Sequence, residues 1–383
     1  MMKVFLGLLF GLFVLIIVTA FWVDRGNKVC DGCDIVLVTV DVWNAKDQNK
    51  LKITDNQKGY FFDNAFASST WTLPVYASIF LGDYPANHGV WRVGDGLGGE
   101  QEGNFVSRIS KLGYATNAYS VGPFFQKEWG FARDFDHFNN MTSFEEIKSV
   151  WNKNIINTFS DEKKDFYWIR LGMNNLIFDY QTSIDQTLDE LSDMLSGISN
   201  DKVALVVVGG VGKLSELPDN ESIAVPLFVS IPGNQIIDRN SVFETKDIPK
   251  LILQESEFVK SRQNGKSLVA LSSSSESLEK IRKVYADYSG SDPKMEITRR
   301  TTEWSEPSYS SSRSLNWHLI RDIDGNYYLY DMVLDKSQKN NLFNDWNSLP
   351  ADQRSEAIKV IRSIGSDVPE ACGIYCGSHE FFK

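Results

Sequence analysis

Thr72 has the side chain of this chain whose surroundings most invite a chemical reading. It stands two residues before Pro74 in Ser69-Thr70-Trp71-Thr72-Leu73-Pro74-Val75-Tyr76, at an expected helix start. A threonine hydroxyl is a poor nucleophile unless a neighbouring base or metal lowers its pKa. The same hydroxyl also suits a helix N-cap, which contributes about 1 kcal/mol, and the cap is the favoured reading. Asp41 closes the apolar run Asp34-Ile35-Val36-Leu37-Val38-Thr39-Val40-Asp41. A carboxylate there often caps a turn or pairs with Arg or Lys. Gly209-Gly210-Val211-Gly212 follows a second apolar run. It reads as a loop at the strand end, without the Lys-Ser/Thr ending of a phosphate-cradling loop or the spacing of a dinucleotide fingerprint. The chain has four histidines, His88, His137, His318 and His379, and a structural role is expected for each.

The elements that must hold these residues can be read from periodicity. Asp34 to Asp41 reads as a buried parallel strand with Asp41 at its C-terminal end, where open α/β sheets place their sites. Phe105 to Gly113 reads as a helix and Tyr114 to Ser120 as the next strand. Tyr180 to Ile198 carries Ile184, Leu188, Leu191 and Leu195 at the spacing of one helix face. Lys202 to Val208 and Val225 to Ile231 are further apolar runs. Strands alternating with helices predict a mostly parallel sheet covered on both sides. Short strand-like runs follow at Met295 to Arg299, Trp317 to Asp322 and Tyr327 to Asp331. The last two flank Asp324-Gly325, a hairpin signal. They predict a small antiparallel C-terminal subdomain, with a closing helix over Leu349 to Ser363. The serine clusters at 272–277 and 308–314 read as loops. Three parts are expected: an apolar leader at 1–23, an α/β domain at 24–265 and the C-terminal subdomain at 266–383.

The stretch from Ser69 through Gly82-Asp83-Tyr84-Pro85 to His88-Gly89 resembles the nucleophile segment of the sulfatases, in the alkaline phosphatase superfamily. Five further stretches resemble that family in order: Lys111 to Ala118, Trp129 to Asp136, Phe178 to Asp185, Val225 to Gly233, and Trp317 to Leu342. With Asp34 to Asp41, they cover nearly the whole chain after the apolar leader. The resemblance implies the fold just described and puts Thr72 at the nucleophile position. Since that position holds threonine, a formylglycine nucleophile is excluded. It also implies a hard cation held by several oxygen ligands, with Asp41 as one of them. The remaining ligand positions fall on Val42, Gly210 and Val211, which offer no ligating side chain. Val75 and Tyr76 stand where a small polar residue and a base are usual. Phe166 to Asn175 lacks the histidines that the family often carries there.

Composition bounds the rest. The chain has 383 residues, 42% hydrophobic and 23% charged, with a formal net charge of −11. That acidity argues against a nucleic-acid partner. Val4 to Trp22 is a run of nineteen almost wholly apolar residues, enough for an uncleaved membrane anchor or a signal peptide. Either puts the folded body outside the cytoplasm. Cys30, Cys33, Cys372 and Cys376 are therefore expected to form disulfides rather than a zinc site.

The favoured expectation is a sulfatase-like protein that has lost catalysis and keeps its fold for binding at the cell envelope. Its partner would be another envelope protein or a sulfated or phosphorylated ligand, with no cofactor. The alternatives are an ester hydrolase or transferase with Thr72 as nucleophile, and a structural envelope subunit. The enzyme would need calcium or magnesium and replacement ligands from residues such as Asp47, Asp83 or Asp95.

Overall fold

The computed structural model describes residues 32–90, 97, 104–122, 125, 130–159, 163–172, 180–199, 201–213, 215, 217–232, 239–240, 242–253, 268–271, 309–322, 324, 326–355. The apolar stretch 4–22, Cys30, Cys372, Cys376, His379, Asp95, the expected strand at 295–299 and the serines at 272–277 lie outside these residues.

The central sheet is built on β1 (Asp34–Val42), whose nine residues are all buried. A strand covered on both faces is apolar throughout, and this one is broken only by Asp34, Thr39 and Asp41. Its neighbours are β6 (Asp165–Leu171) on one side and β7 (Val203–Val211) on the other, both parallel to it. β4 (Ala115–Val121) and β5 (His137–Met141) extend the parallel part beyond β6. Antiparallel β8 (Leu227–Ser230) and the two-residue β2 (Tyr60–Phe61) finish the other edge. The order is β2-β8-β7-β1-β6-β4-β5. A separate parallel pair joins β3 (Ala65–Phe66) to β9 (Phe243–Glu244).

Four helices matter for the site and its support: α1 (Thr72–Leu81), α2 (Phe105–Lys111), α3 (Phe144–Val150) and α4 (Tyr180–Leu195). α4 buries Ile184, Leu188, Leu191 and Leu195. Its outer face pairs Asp185 with Lys50 and Asp189 with Lys52. α1 is different, because every residue from Thr72 to Phe80 is buried. A helix apolar on all sides belongs inside a core. Gly82 ends it in the left-handed conformation, φ +70°, which glycine adopts without strain.

The C-terminal part is a four-stranded antiparallel sheet of β10 (Leu268–Leu271), β11 (Tyr309–Arg313), β12 (Trp317–Asp322) and β13 (Tyr327–Asp331). β12 and β13 occupy the two arms of the expected hairpin. The loop reading of 308–314 fails, because Tyr309–Arg313 is a strand. Its backbone groups are taken up by β12, and Ser311 and Ser312 are fully buried. Residues 351–355 are helical just after Pro350.

Candidate functional site

The parallel register puts the candidate residues on adjoining strand ends. Val40 pairs with Gly209 and Val42 with Val211, which sets Gly210 beside Asp41. On the other side Thr39 pairs with Arg170, and Arg170 with Ser120. Register partners share a face and residues two apart point the same way, so Asp41, Thr39, Arg170 and Ser120 rise from one face of three neighbouring strands. The N-terminal part of α1 covers that face.

The structure brings Asp41, Gly210 and Thr72 together. A Cβ added to Gly210 would lie 2.7 Å from the Asp41 carbonyl, 2.9 Å from the Tyr76 hydroxyl and 3.0 Å from Thr72 Cγ2. Gly209 to Val211 are strand residues, contrary to the loop expected from the glycine run. The missing side chain of Gly210 lets α1 approach the strand, a Cβ on Gly209 would instead meet the Trp43 carbonyl, Pro226 and Val225, and the backbones continue the ladder with β1. Val42 and Val211 are buried partners in that ladder, and their side chains are apolar.

Asp41 has a partner that the sequence did not single out. Arg170 Nε donates to Asp41 Oδ1 at 2.9 Å, and Nη2 donates to Oδ2 at 2.5 Å. Both side chains are fully buried. The Tyr76 hydroxyl also donates to Oδ1, at 3.0 Å. Arg170 Nη1 donates to Ser120 Oγ at 3.2 Å and to the Val121 carbonyl at 2.9 Å. The Phe125 ring lies against the guanidinium, 4.2 Å from Cζ to ring centroid, a distance at which the ring quadrupole attracts a cation. Around this pair Tyr76, Phe80, Phe125, Phe131 and Trp168 form a closed set of ring contacts at 4.7–6.3 Å. Burial, reinforced by the Asp41 charge, raises the Tyr76 phenol well above its ordinary range. It is therefore a neutral donor.

Thr72 is the first residue of α1, and Trp71 occupies the cap position. The cap reading of Thr72 is thus displaced by one residue. Its side chain is buried among Gly210 and the start of α1. Two of the replacement ligands considered for a cation, Asp47 and Asp83, are engaged elsewhere, and Asp95 lies outside the described residues. Asp47 accepts from the Tyr180 hydroxyl at 2.8 Å and pairs with Lys50 at 2.9 Å. Asp83 accepts from the Tyr84 N–H at 2.8 Å and from Asn87 at 2.6 Å.

The rest of the family-like segment holds this corner in place. The Val90 N–H donates to His88 Nδ1 at 3.1 Å, so the ring proton sits on Nε2 and faces Ser78 Oγ at 3.0 Å. Burial lowers the His88 pKa to about 4, and this neutral ring ties the His-Gly turn to α1. Tyr84 donates to Glu244 Oε2 at 2.7 Å and stacks under Lys246, which itself pairs with Glu244 at 3.1 Å. His137 is exposed at the start of β5, and His318 is buried in β12.

The donor set does not fit a hard cation. Such an ion needs about six to eight oxygen ligands, several of them charged. Here both oxygens of Asp41 already accept, from Arg170 and Tyr76. Among the described residues no group of three or more His, Cys, Asp or Glu could hold a metal.

Comparison with known proteins agrees with the fold. Residues 36–211 match the family model described as Sulfatase. A protein solved with its substrate D-glucosamine-2-N,6-O-disulfate is 13% identical. It superposes with a TM-score of 0.60 over 88% of this chain and 98% of its own. The phosphonate monoester hydrolase of Agrobacterium radiobacter is 11% identical, with a TM-score of 0.56 over 88% and 97%. A protein of the alkaline phosphatase superfamily from Vibrio parahaemolyticus is 12% identical, with a TM-score of 0.53 over 92% and 91%. Identities this low speak for the fold and not for an activity. No curated protein matches the chain in sequence.

Proposed function

We propose, for a chain whose residues 36–211 match the Sulfatase family model, that it does not hydrolyse esters and uses its fold for binding at the cell envelope. One observation carries this reading: the hydroxyl at the nucleophile position is sealed. Thr72, Asp41 and Tyr76 each have 0% of their surface exposed. A nucleophile must come within about 3–3.5 Å of the reacting atom, and a sulfate or phosphate ester cannot do so through a packed aromatic layer. A threonine also needs a base or a metal for activation, and among the described residues no group of three or more His, Cys, Asp or Glu could hold a metal beside it.

The address rests on two supports. The apolar run Val4 to Trp22 suits an anchor or signal segment. The even set of Cys30, Cys33, Cys372 and Cys376 suits disulfides, which persist in exported compartments. The ligand would be an envelope protein or a sulfated or phosphorylated molecule, held on the outer surface rather than at Thr72.

The test is an assay of the purified full chain with p-nitrophenyl sulfate, p-nitrophenyl phosphate and a phosphonate monoester. Each is run with calcium, magnesium or manganese in turn. No turnover above background is expected. Turnover that Thr72→Ala abolishes would overturn the reading and restore Thr72 as nucleophile.

A further inference from the structure

We infer that Arg170 stands in for the divalent cation that this fold ordinarily carries: its guanidinium is a cation tethered to the chain, with the Asp41 carboxylate as counter-ion. The inference rests on the non-hydrolytic reading and adds what fills the centre. Coordination is the first argument. The guanidinium meets Asp41 through two parallel hydrogen bonds of 2.9 and 2.5 Å, the two-pronged geometry in which Arg binds carboxylate most strongly. Tyr76 supplies a third donor to the same carboxylate.

Charge balance is the second argument. One carboxylate and one guanidinium sum to zero. A divalent ion balanced by Asp41 alone would leave net positive charge among side chains with no solvent contact, which is strongly unfavourable. Val42, Gly210 and Val211 thus offer no ligating side chain at this centre, and the buried Arg170 guanidinium supplies its positive charge.

Space is the third argument. Gly122, at φ +98°, and Gly172 lie against the guanidinium. A Cβ on Gly122 would stand 3.5 Å from Arg170 Nη2 and 3.2 Å from Gly172 Cα. One on Gly172 would stand 3.0 Å from the same nitrogen and 1.9 Å from the Val121 carbonyl. The ends of β4 and β6 are thus shaped around the arginine head.

The experiment measures metal content and thermal stability of the full chain. Wild type is expected to contain well under one equivalent of any divalent metal, with a melting temperature that neither chelator nor millimolar calcium, magnesium or manganese moves. Arg170→Gly removes the tethered cation and leaves Asp41 facing a cavity. Its melting temperature is expected to fall, and to rise again by about 3 °C or more with millimolar methylguanidinium or a divalent cation, since only the folded variant offers the site. One equivalent of metal in wild type, removable by chelator with loss of stability, would overturn the inference. So would a folded Arg170→Gly that answers to no cation at all. The wild-type metal measurement decides the matter if that variant does not fold. Ester hydrolysis by a metal-free wild type would refute the non-hydrolytic reading and leave the tethered cation standing.

Discussion

Two buried polar centres in this molecule solve the same problem in opposite ways. At the end of β1, Asp41 and Arg170 remain a complete ion pair, with Ser120, Val121 and Tyr76 taking up the remaining hydrogen bonds. In the C-terminal sheet His318 has no counter-ion among the described residues. Gln338 gives its carbonyl to the Asn220 N–H at 2.6 Å and so turns its amide NH2 toward His318 Nδ1, at 3.0 Å. His318 Nε2 is buried without a partner. Burial, and then the nearby Arg313 charge, lower the His318 pKa to about 3. A charge survives burial only when its partner is buried with it, and a lone titratable group gives up its charge instead. The two centres also differ in what they join. The first ties three strands of one sheet, whereas the second ties the C-terminal sheet to the Asn220–Ile223 turn of the main domain. Arg313 strengthens the second through the Phe66 ring, at 5.1 Å.

The largest effect should come from splitting the ion pair. Arg170→Met leaves a buried, unpaired carboxylate, and urea denaturation should show a loss of about 3–5 kcal/mol. Replacing both partners with Asp41→Leu and Arg170→Met should recover most of that loss, because an apolar pair of similar volume removes the desolvation penalty as well as the attraction. A double variant as unstable as the single one would mean that the pair holds the strands in register in a way packing cannot replace. Gly210→Ala should cost about 1–3 kcal/mol by overpacking, since its methyl would press on the Asp41 carbonyl, the Tyr76 hydroxyl and Thr72.

What the sequence displayed and what it hid differ in physical kind. β1, β6 and β7 are unbroken apolar runs, and α4 repeats its leucines at helical spacing, so each can be read from local pattern. β5 is His-Phe-Asn-Asn-Met at a sheet edge, with exposed polar residues that carry no strand signal. β11 is mostly serine, and only its pairing with β12 makes it a strand. Gly209 to Val211 looked like a loop because glycine is a turn residue. The close approach of α1 explains why glycine is needed inside that strand. Asp41 and Thr72 stood out as chemically capable groups, but the residue that defines their site is Arg170. An arginine inside an apolar strand is visible in the sequence. That it meets an aspartate 129 positions away is a matter of register between strands, which local pattern does not encode. The cap reading of Thr72 missed by one residue, a common error at helix ends.

The His318 centre should be the one that responds to acid. Its folded pKa of about 3 lies below the ordinary value of 6.5. The unfolded chain therefore binds the proton first, and stability is lost as pH falls from about 6.5 toward 3. In that window one such group contributes a slope of roughly 1.4 kcal/mol per pH unit. His88, lowered to about 4, contributes a second slope down to that pH. The structural consequence is specific to His318. A proton on Nδ1 would face the amide NH2 of Gln338, and flipping that amide would turn its NH2 against the Asn220 N–H. His318→Gln should thus reduce the slope between about pH 6 and 4.5 by roughly half, measured by urea denaturation across that range. An unchanged slope would show that His318 is already neutral in the unfolded chain or accessible to protons in the folded one.

The smallest effect concerns Thr72, and it separates a structural hydroxyl from a chemical one. Thr72→Val keeps the branched shape and removes only the hydroxyl. Because Trp71 holds the cap position, the change costs no helix cap. What it removes is one buried hydroxyl's hydrogen bonding, on the order of 1 kcal/mol. Thr72→Ala removes a buried methyl as well, adding a cavity beside Gly210, and should cost more than Thr72→Val. The ordering of the two variants is the informative result. If Thr72→Val is the more harmful, the hydroxyl itself holds the start of α1 against the strand ends. If both variants are as stable as wild type, Thr72 contributes nothing to this corner. A stability-neutral Thr72 would make the ester assays with Thr72→Ala the deciding measurement of any chemical role.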